Sequence, residues 1–246
     1  LADMVLADDG FYQVQVTFDG ERGDTTTLDV IIDDGEPEPP VRWTPAVEQV
    51  VVTEDPYVTS SLIWPVFESN VAGTAAANAA LAEFVTELDD DWIQDVTEFS
   101  DPQDDSSYDV SYEVTLATTD LVSVRFSFYD YVCCRPYPNY GTRSAVLDLG
   151  SGQLLAISDI IDTNRLDEIN QLWLAELEKQ GLLPEAVALL GQSPQFDSLT
   201  LLAEGVEFGT DRNSLGGGMP GTATVVTYAQ LGDLVNPELV ARAASG

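Results

Sequence analysis

The chain has no histidine in 246 residues. A Ser-His-Asp or Cys-His site takes its base from an imidazole, and the common catalytic zinc sites use imidazoles as ligands. The absence argues against both classes. A two-carboxylate glycosidase needs no imidazole and passes this test. Positive charge is also scarce. There are 9 bases against 43 acids, a formal net charge of -34, and Lys179 is the sole lysine. Nucleic-acid affinity comes largely from Lys and Arg on phosphate, so no nucleic-acid partner is expected. Anionic membrane surfaces are disfavoured in the same way. No run of 18 apolar residues exists, so no membrane insertion is expected. No signal peptide is recognisable, and "LADMVLADDGFYQV" reads as the inside of a domain.

What is abundant is acid, spread along the whole chain. Such charge attracts a basic protein or metal cations. It also serves as a hydrated, halophilic-type carboxylate surface, and the even spread favours that reading. The hydrophobic fraction of 44% is ordinary for a chain that builds a core.

Residues 1–34 read as two strands. Tyr12, Val14, Val16 and Phe18 alternate on one face, and "DGERGD" makes the turn. Four prolines in "DDGEPEPPVRWTP" mark a stiff linker over 35–45. Beyond it, 46–240 reads as an α+β domain. Strands are expected at Val47–Thr53 and Tyr57–Phe67. A helix follows near 75–88, carrying Leu81, Phe84, Val85 and Leu88 on one face, and the acidic run Asp89–Asp91 comes after it. Two strands alternate next. Val110, Tyr112, Val114 and Leu116 share one face of the first, and Val122, Val124, Phe126 and Phe128 share one face of the second. A third strand carries Ala145, Leu147 and Leu149. A second helix near 164–180 carries Leu166, Ile169, Trp173 and Leu177, and "PEAVALL" suggests another. "ATVVTYAQL" reads as a strand. The pattern is an antiparallel sheet covered by a few helices.

Asp8, Gly10 and Tyr12 resemble the tyrosine corner of immunoglobulin-like domains, with Val14 where a cysteine would stand. That resemblance implies the last two strands of a β-sandwich. The order of "LVSVRFSFYDY", "SAVLDLGSGQLLAISDIID", "LDEINQLWLAEL" and "VVTYAQLGDLVNPEL" resembles the RsiV-like, or DUF3298, bacterial extracytoplasmic domains. The matching positions are Leu147, Asp148, Leu149, Gly152, Leu154, Ile157, Asp159 and Ile160. "WPVFESNVAGTAAANAALAEFV" resembles the DUF4163-like segment that precedes them. The resemblance implies a non-catalytic, envelope-exposed domain. Its members include an anti-sigma factor that senses lysozyme and the N-terminal part of a peptidoglycan deacetylase. Where that family has Gly-Gly-Ala-His, this chain has Val132, Cys133, Cys134, Arg135 and Pro136.

Outside the cell, Cys133 and Cys134 are candidates for a vicinal disulfide. Two buried thiols and an intermolecular disulfide are the other readings. Arg125, Arg135 and Arg143 lie close in sequence to Tyr131, Tyr137 and Tyr140. With the two cysteines these form the candidate ligand-binding set, because Arg and Tyr dominate binding hot spots. The alternative is that Arg pairs with nearby carboxylates and Tyr caps a sheet edge. "DDD" at 89–91 and "SDPQDDSSYD" at 100–109 lack the spacing of a calcium loop and read as solvated turns. No metal, no cofactor and no catalytic residue is expected.

The leading expectation is therefore a secreted or surface-anchored binding protein, its ligand a cell-wall glycan or a basic protein such as lysozyme. One alternative is a structural subunit of an extracellular assembly, self-associating through residues 1–34. Another is a carboxylate-dependent glycosidase.

Overall fold

The computed structural model describes residues 41–54, 57–99, 105–132, 138–181, 196–211 and 221–244, with the backbone of 13–16 and 26–29. The chain divides into two units, Leu1–Glu38 and Pro39–Gly246. In the first, β1 (Gln13–Val16) and β2 (Thr26–Asp29) pair antiparallel, with Gln13 opposite Asp29. The tyrosine-corner residues Asp8, Gly10 and Tyr12 lie outside the described residues.

The second unit is α+β. Its larger sheet has six strands in chain order. They are β3 (Arg42–Glu54), β4 (Tyr57–Glu68), β5 (Ser106–Ala117), β6 (Leu121–Tyr131), β7 (Asn139–Asp148) and the short β8 (Gln153–Leu154). β3 starts at Arg42, inside the stretch whose prolines suggest a linker. Pro45 is tolerated there because β3 is an edge strand. One junction departs from the antiparallel expectation. β4 and β5 pair parallel, Val58 beside Ser106 through Leu62 beside Val110. Parallel neighbours need a crossover, and α1 (Thr74–Phe99) supplies it.

α1 is longer than the expected 75–88, and Asp89–Asp91 lie within it rather than in a turn after it. Leu81, Val85, Trp92 and Val96 continue at helical spacing and are all buried, with Asp89 in the same phase at 5% exposure. This face packs on Val122, Val124, Phe126 and Leu147 of the sheet.

A bulge between Val114 and Leu116 changes the faces of β5. Val110, Tyr112 and Val114 belong with the α1 face, but Leu116 joins the core on the other side. An inserted residue reverses side-chain parity, so the four do not share one face. The freed Thr115 hydroxyl donates to the Leu201 carbonyl at 2.9 Å.

That second core holds a three-stranded sheet of β9 (Ser198–Leu201), β10 (Gly205–Thr210) and β11 (Thr222–Thr227), with β10 central. Covering it are α2 (Ile157–Ile160), α3 (Leu166–Lys179), α4 (Tyr228–Leu231) and α5 (Pro237–Ala243). Ile169, Trp173 and Leu177 of α3 are fully buried, whereas Leu166 stays exposed. "YAQL" is helical rather than a strand. Thr227 and Gln230 form a capping box that starts α4, which the alternation before it hides. The helix suggested by "PEAVALL" lies outside the described residues. No helix among the described residues is long and apolar enough to cross a membrane.

Candidate functional site

β6 and β7 run past the small sheet, and their far ends carry the tyrosines. The register places Tyr129 directly opposite Tyr140. Both face water, at 42% and 40% exposure. Alternation puts Tyr131 on the same face as Tyr129, two residues further along β6. Two exposed aromatic rings on neighbouring strands stand within reach of each other. Beside them opens a cavity of about 270 Å³, lined by Ser127, Tyr140, Thr142, Thr210 and Thr222 among others. Its polar lining is mostly hydroxyl.

The edge of β7 near this cavity is held by Asp211. Asp211 Oδ1 accepts the Thr142 N–H at 3.0 Å, and Oδ2 accepts from Arg143 Nη1 at 2.6 Å. Gly141 makes room for this. A Cβ there would overlap Asp211 Oδ1 and lie 2.7 Å from Phe128 Cζ. β8 pairs with β7 at Leu147 and Asp148 alone. Asp211 therefore occupies part of an edge that strand pairing leaves open.

Arg143 points to the other face of β7 from Tyr140. Its guanidinium lies 5.1 Å over the Phe128 ring, and Nη1 also donates to the Thr142 carbonyl at 2.8 Å. Phe128 packs near Tyr108, which stacks on Trp92 at 5.3 Å. Trp92 Nε1 in turn donates to Asp130 Oδ1 at 2.8 Å. Burial pushes the Tyr108 phenol well above its ordinary range, and the Arg143 charge opposes this in part. The tyrosine tip thus rests on an aromatic stack that runs back to α1.

Of the expected site residues, Tyr131, Tyr140 and Arg143 come to this end of β6 and β7. Arg125 does not. Its Nη1 pairs with Glu207 Oε1 and its Nη2 with Glu113 Oε2, both at 2.5 Å, so it ties the large sheet to β10. Cys133, Cys134, Arg135 and Tyr137 lie outside the described residues. Tyr129, Gly141 and Asp211 are additions that local spacing does not reveal. Tyr129 has a signal, an aromatic on a period-two strand beside Tyr131, but its pairing with Tyr140 depends on register. No group of three or more metal-ligating side chains occurs among the described residues.

The fold has relatives among solved structures. A DUF3298 family protein (PA4972) from Pseudomonas aeruginosa PAO1 superposes with a TM-score of 0.55 at 14% identity, over 83% of this chain and 97% of that one. A DUF3298 family member (BF2082) from Bacteroides fragilis NCTC 9343 gives 0.58 at 13% identity, over 84% and 97%. The chain has the DUF3298 fold. No family model and no curated protein matches its sequence.

Proposed function

We propose that the second unit is a non-catalytic binding domain that works outside the cell and takes a cell-wall glycan at the tip of β6 and β7. The exposed Tyr129–Tyr140 pair carries this reading. Sugar rings present apolar C–H faces that pack on aromatic side chains, and their hydroxyls bond to hydroxyl and backbone groups. The cavity beside Tyr140 offers such groups from Ser127, Thr142, Thr210 and Thr222. A glycan without net charge is not repelled by a chain of charge -34.

The test is retention on purified peptidoglycan, followed by calorimetry with soluble glycan fragments. Tyr129→Ala and Tyr140→Ala are expected to weaken retention about tenfold each, in line with loss of an aromatic hot spot. Both sites are exposed, so the folded fraction is expected to hold. Retention no better than that of an unrelated acidic protein sinks the proposal.

The net charge of -34 favours a second reading, a basic protein such as lysozyme as partner. Binding of that kind weakens steeply with salt, whereas glycan stacking does not. A salt titration of whichever complex forms separates the two.

A further inference from the structure

The large sheet ends at β3, and no strand lies on its outer side among the described residues. The register decides which backbone groups face that side. Trp43 stands opposite Phe67, and Asn78 takes both the N–H and the carbonyl of Phe67. Trp43 and Phe67 therefore form a non-hydrogen-bonded pair, and the N–H and C=O of Trp43 turn outward. Pairing alternates along an antiparallel ladder, so Pro45, Val47 and Gln49 turn outward as well. Pro45 opposite Pro65 agrees with this, because neither has an N–H to exchange. The outer edge thus offers amides at Trp43, Val47 and Gln49, and carbonyls at these and at Pro45. Proline is one of the devices that guard an open edge, but Pro45 removes a single donor.

The side chains add a second pattern. Trp43 and Val47 lie on one side of β3, at 36% and 67% exposure. Glu48 lies on the other side, opposite Leu62, which is buried in the core under α1. Asp90 of α1 is close by, and the charges of Glu48 and Asp90 both raise the pKa of Asp89. Glu48 and Asp90 are themselves exposed. One side of the edge is apolar and the other is acidic.

We infer that the outer edge of β3 binds an extended segment of a basic partner, in which apolar residues alternate with Lys or Arg. The segment joins the sheet as a further strand. Its backbone pairs with the outward groups of Trp43, Val47 and Gln49. Its apolar side chains cover Trp43 and Val47, and its basic side chains meet Glu48 and Asp90. A strand that spans 43–49 needs about seven residues. A second copy of this chain fits less well, because a charge of -34 repels another of the same sign. The edge is separate from the tyrosine tip, and the inference depends on neither reading of the function.

The experiment is calorimetry on the full chain with a capped peptide of that length, alternating lysine and valine, in about 0.15 M sodium chloride. Saturable binding is expected. A peptide with the same lysines and valines in two blocks keeps the charge and loses the alternation. It is expected to bind about tenfold more weakly. Val47→Pro removes an outward N–H at an exposed edge position, where proline is tolerated. It is expected to weaken binding about tenfold, the scale of one lost hydrogen bond, and to leave the melting temperature in place. Amide exchange on the unaltered chain gives a readout that stands even if the variant does not fold. The peptide is expected to slow exchange at Trp43, Val47 and Gln49 and to leave Thr44 and Ala46, whose amides face β4, as they were. Absence of saturable binding at millimolar peptide overturns the inference. So does a block peptide that binds as tightly as the alternating one, a folded Val47→Pro protein that binds like the original, or protection that misses the three outward amides. A chain that sediments as a dimer, and as a monomer after Val47→Pro, would give the edge to a second copy and overturn it too.

Discussion

The side-chain amide of Asn78 pairs with both backbone groups of Phe67. Nδ2 donates to the Phe67 carbonyl and Oδ1 accepts the Phe67 N–H, each at 2.9 Å. The cause lies in the sheet. β5 accompanies β4 only from Val58 to Leu62, and Pro65 has no N–H to offer. Past that point Asn78, reaching down from α1, takes the place of a neighbouring strand. Phe67 is buried at 2% exposure, so its backbone groups have poor access to water.

Asn78→Ala is expected to cost about 2–4 kcal/mol, because two bonds vanish and two buried backbone groups lose their partners. Asn78→Asp keeps an acceptor and loses the donor, and should fall between. Urea denaturation of the three proteins measures the order. A loss below about 0.5 kcal/mol for Asn78→Ala would mean that water replaces the amide at no cost.

Gly141→Ala is expected to destabilise the protein by disturbing Asp211 and Phe128 at once. The added methyl group meets both, and the Asp211 contacts to Thr142 and Arg143 are lost with it. In an Asp211→Ala background the obstacle is smaller, so the cost of Gly141→Ala should shrink. Overpacking of this kind typically costs about 1–3 kcal/mol. Additive effects in the double variant would show that the two positions do not compete for space.

Arg125 holds the two sheets together through Glu207, whose side chain is 14% exposed. Burial works against its charge, but Glu113 and Glu207 together raise its pKa. Arg125→Met should leave Glu207 half-buried without its cation and cost about 1–3 kcal/mol. Adding Glu207→Gln should recover part of that loss. A double-mutant cycle by denaturation gives the coupling. A coupling near zero would assign the junction to the hydroxyl contacts instead, Thr142 Oγ1 with Ser198 Oγ at 2.9 Å and Ser144 Oγ with Thr200 Oγ1 at 2.7 Å.

Much of the fold is legible in the sequence. The alternation of Val122, Val124, Phe126 and Phe128 states both the strand and its buried face, because β6 is central and α1 covers that face along its length. The order of motifs states the fold family. Three features stay hidden for physical reasons. The parallel β4–β5 junction leaves no local mark, since it depends on where a 26-residue crossover helix sets the chain down. The side switch at Leu116 comes from a bulge that the alternating pattern reads straight through. The Tyr129–Tyr140 pair needs a cross-strand register that neither strand specifies alone. Asp89 misleads differently. Aspartate reads as solvent-facing, yet helical phase carries it inward between Val85 and Trp92.

Asp89 gives a pH dependence of definite sign. Burial raises its pKa above the ordinary 3.8, the Ser60 hydroxyl opposes this, and the charges of Asp90 and Glu48 add to it. Ser60 Oγ and Asp89 Oδ1 are both buried without a hydrogen bond of good geometry. A raised folded pKa means that the contribution is fully present below 3.8 and is lost as pH rises through the folded value. Asp89→Asn should therefore melt higher than the original near neutral pH, by about 1 kcal/mol or more, and the gap should close in acid. Asp148 runs the other way. Burial pushes its pKa up, but the Ser151 N–H and Arg242 outweigh that and lower it. Its contribution is present at neutral pH and is lost as pH falls through the folded value. Melting curves of both Asn variants from pH 2 to 8 test the pair, since Asp148 loses its contribution only below pH 3.8. Parallel curves for original and variant would remove the assigned role.

Salt decides the last prediction through a contest between two screened effects. Arg125, Arg143, Arg165, Lys179 and Arg242 each sit in an ion pair, and salt weakens such pairs. Yet exposed pairs are worth at most about 1 kcal/mol each. Against them stands the mutual repulsion of 43 acids with 9 bases. Repulsion sums over many distant charges, so it loses most when the Debye length falls from about 10 Å at 0.1 M to about 3 Å at 1 M. The melting temperature should climb with sodium chloride, steeply at first and then less. Charge also sets where the gain originates. Replacing exposed acids on α1, such as Glu83 and Glu87, by Gln should raise the melting temperature in low salt and flatten the salt response. A melting temperature that stays level or falls with salt would mean that the ion pairs outweigh the repulsion, and that the acidic surface is no burden to folding in dilute buffer.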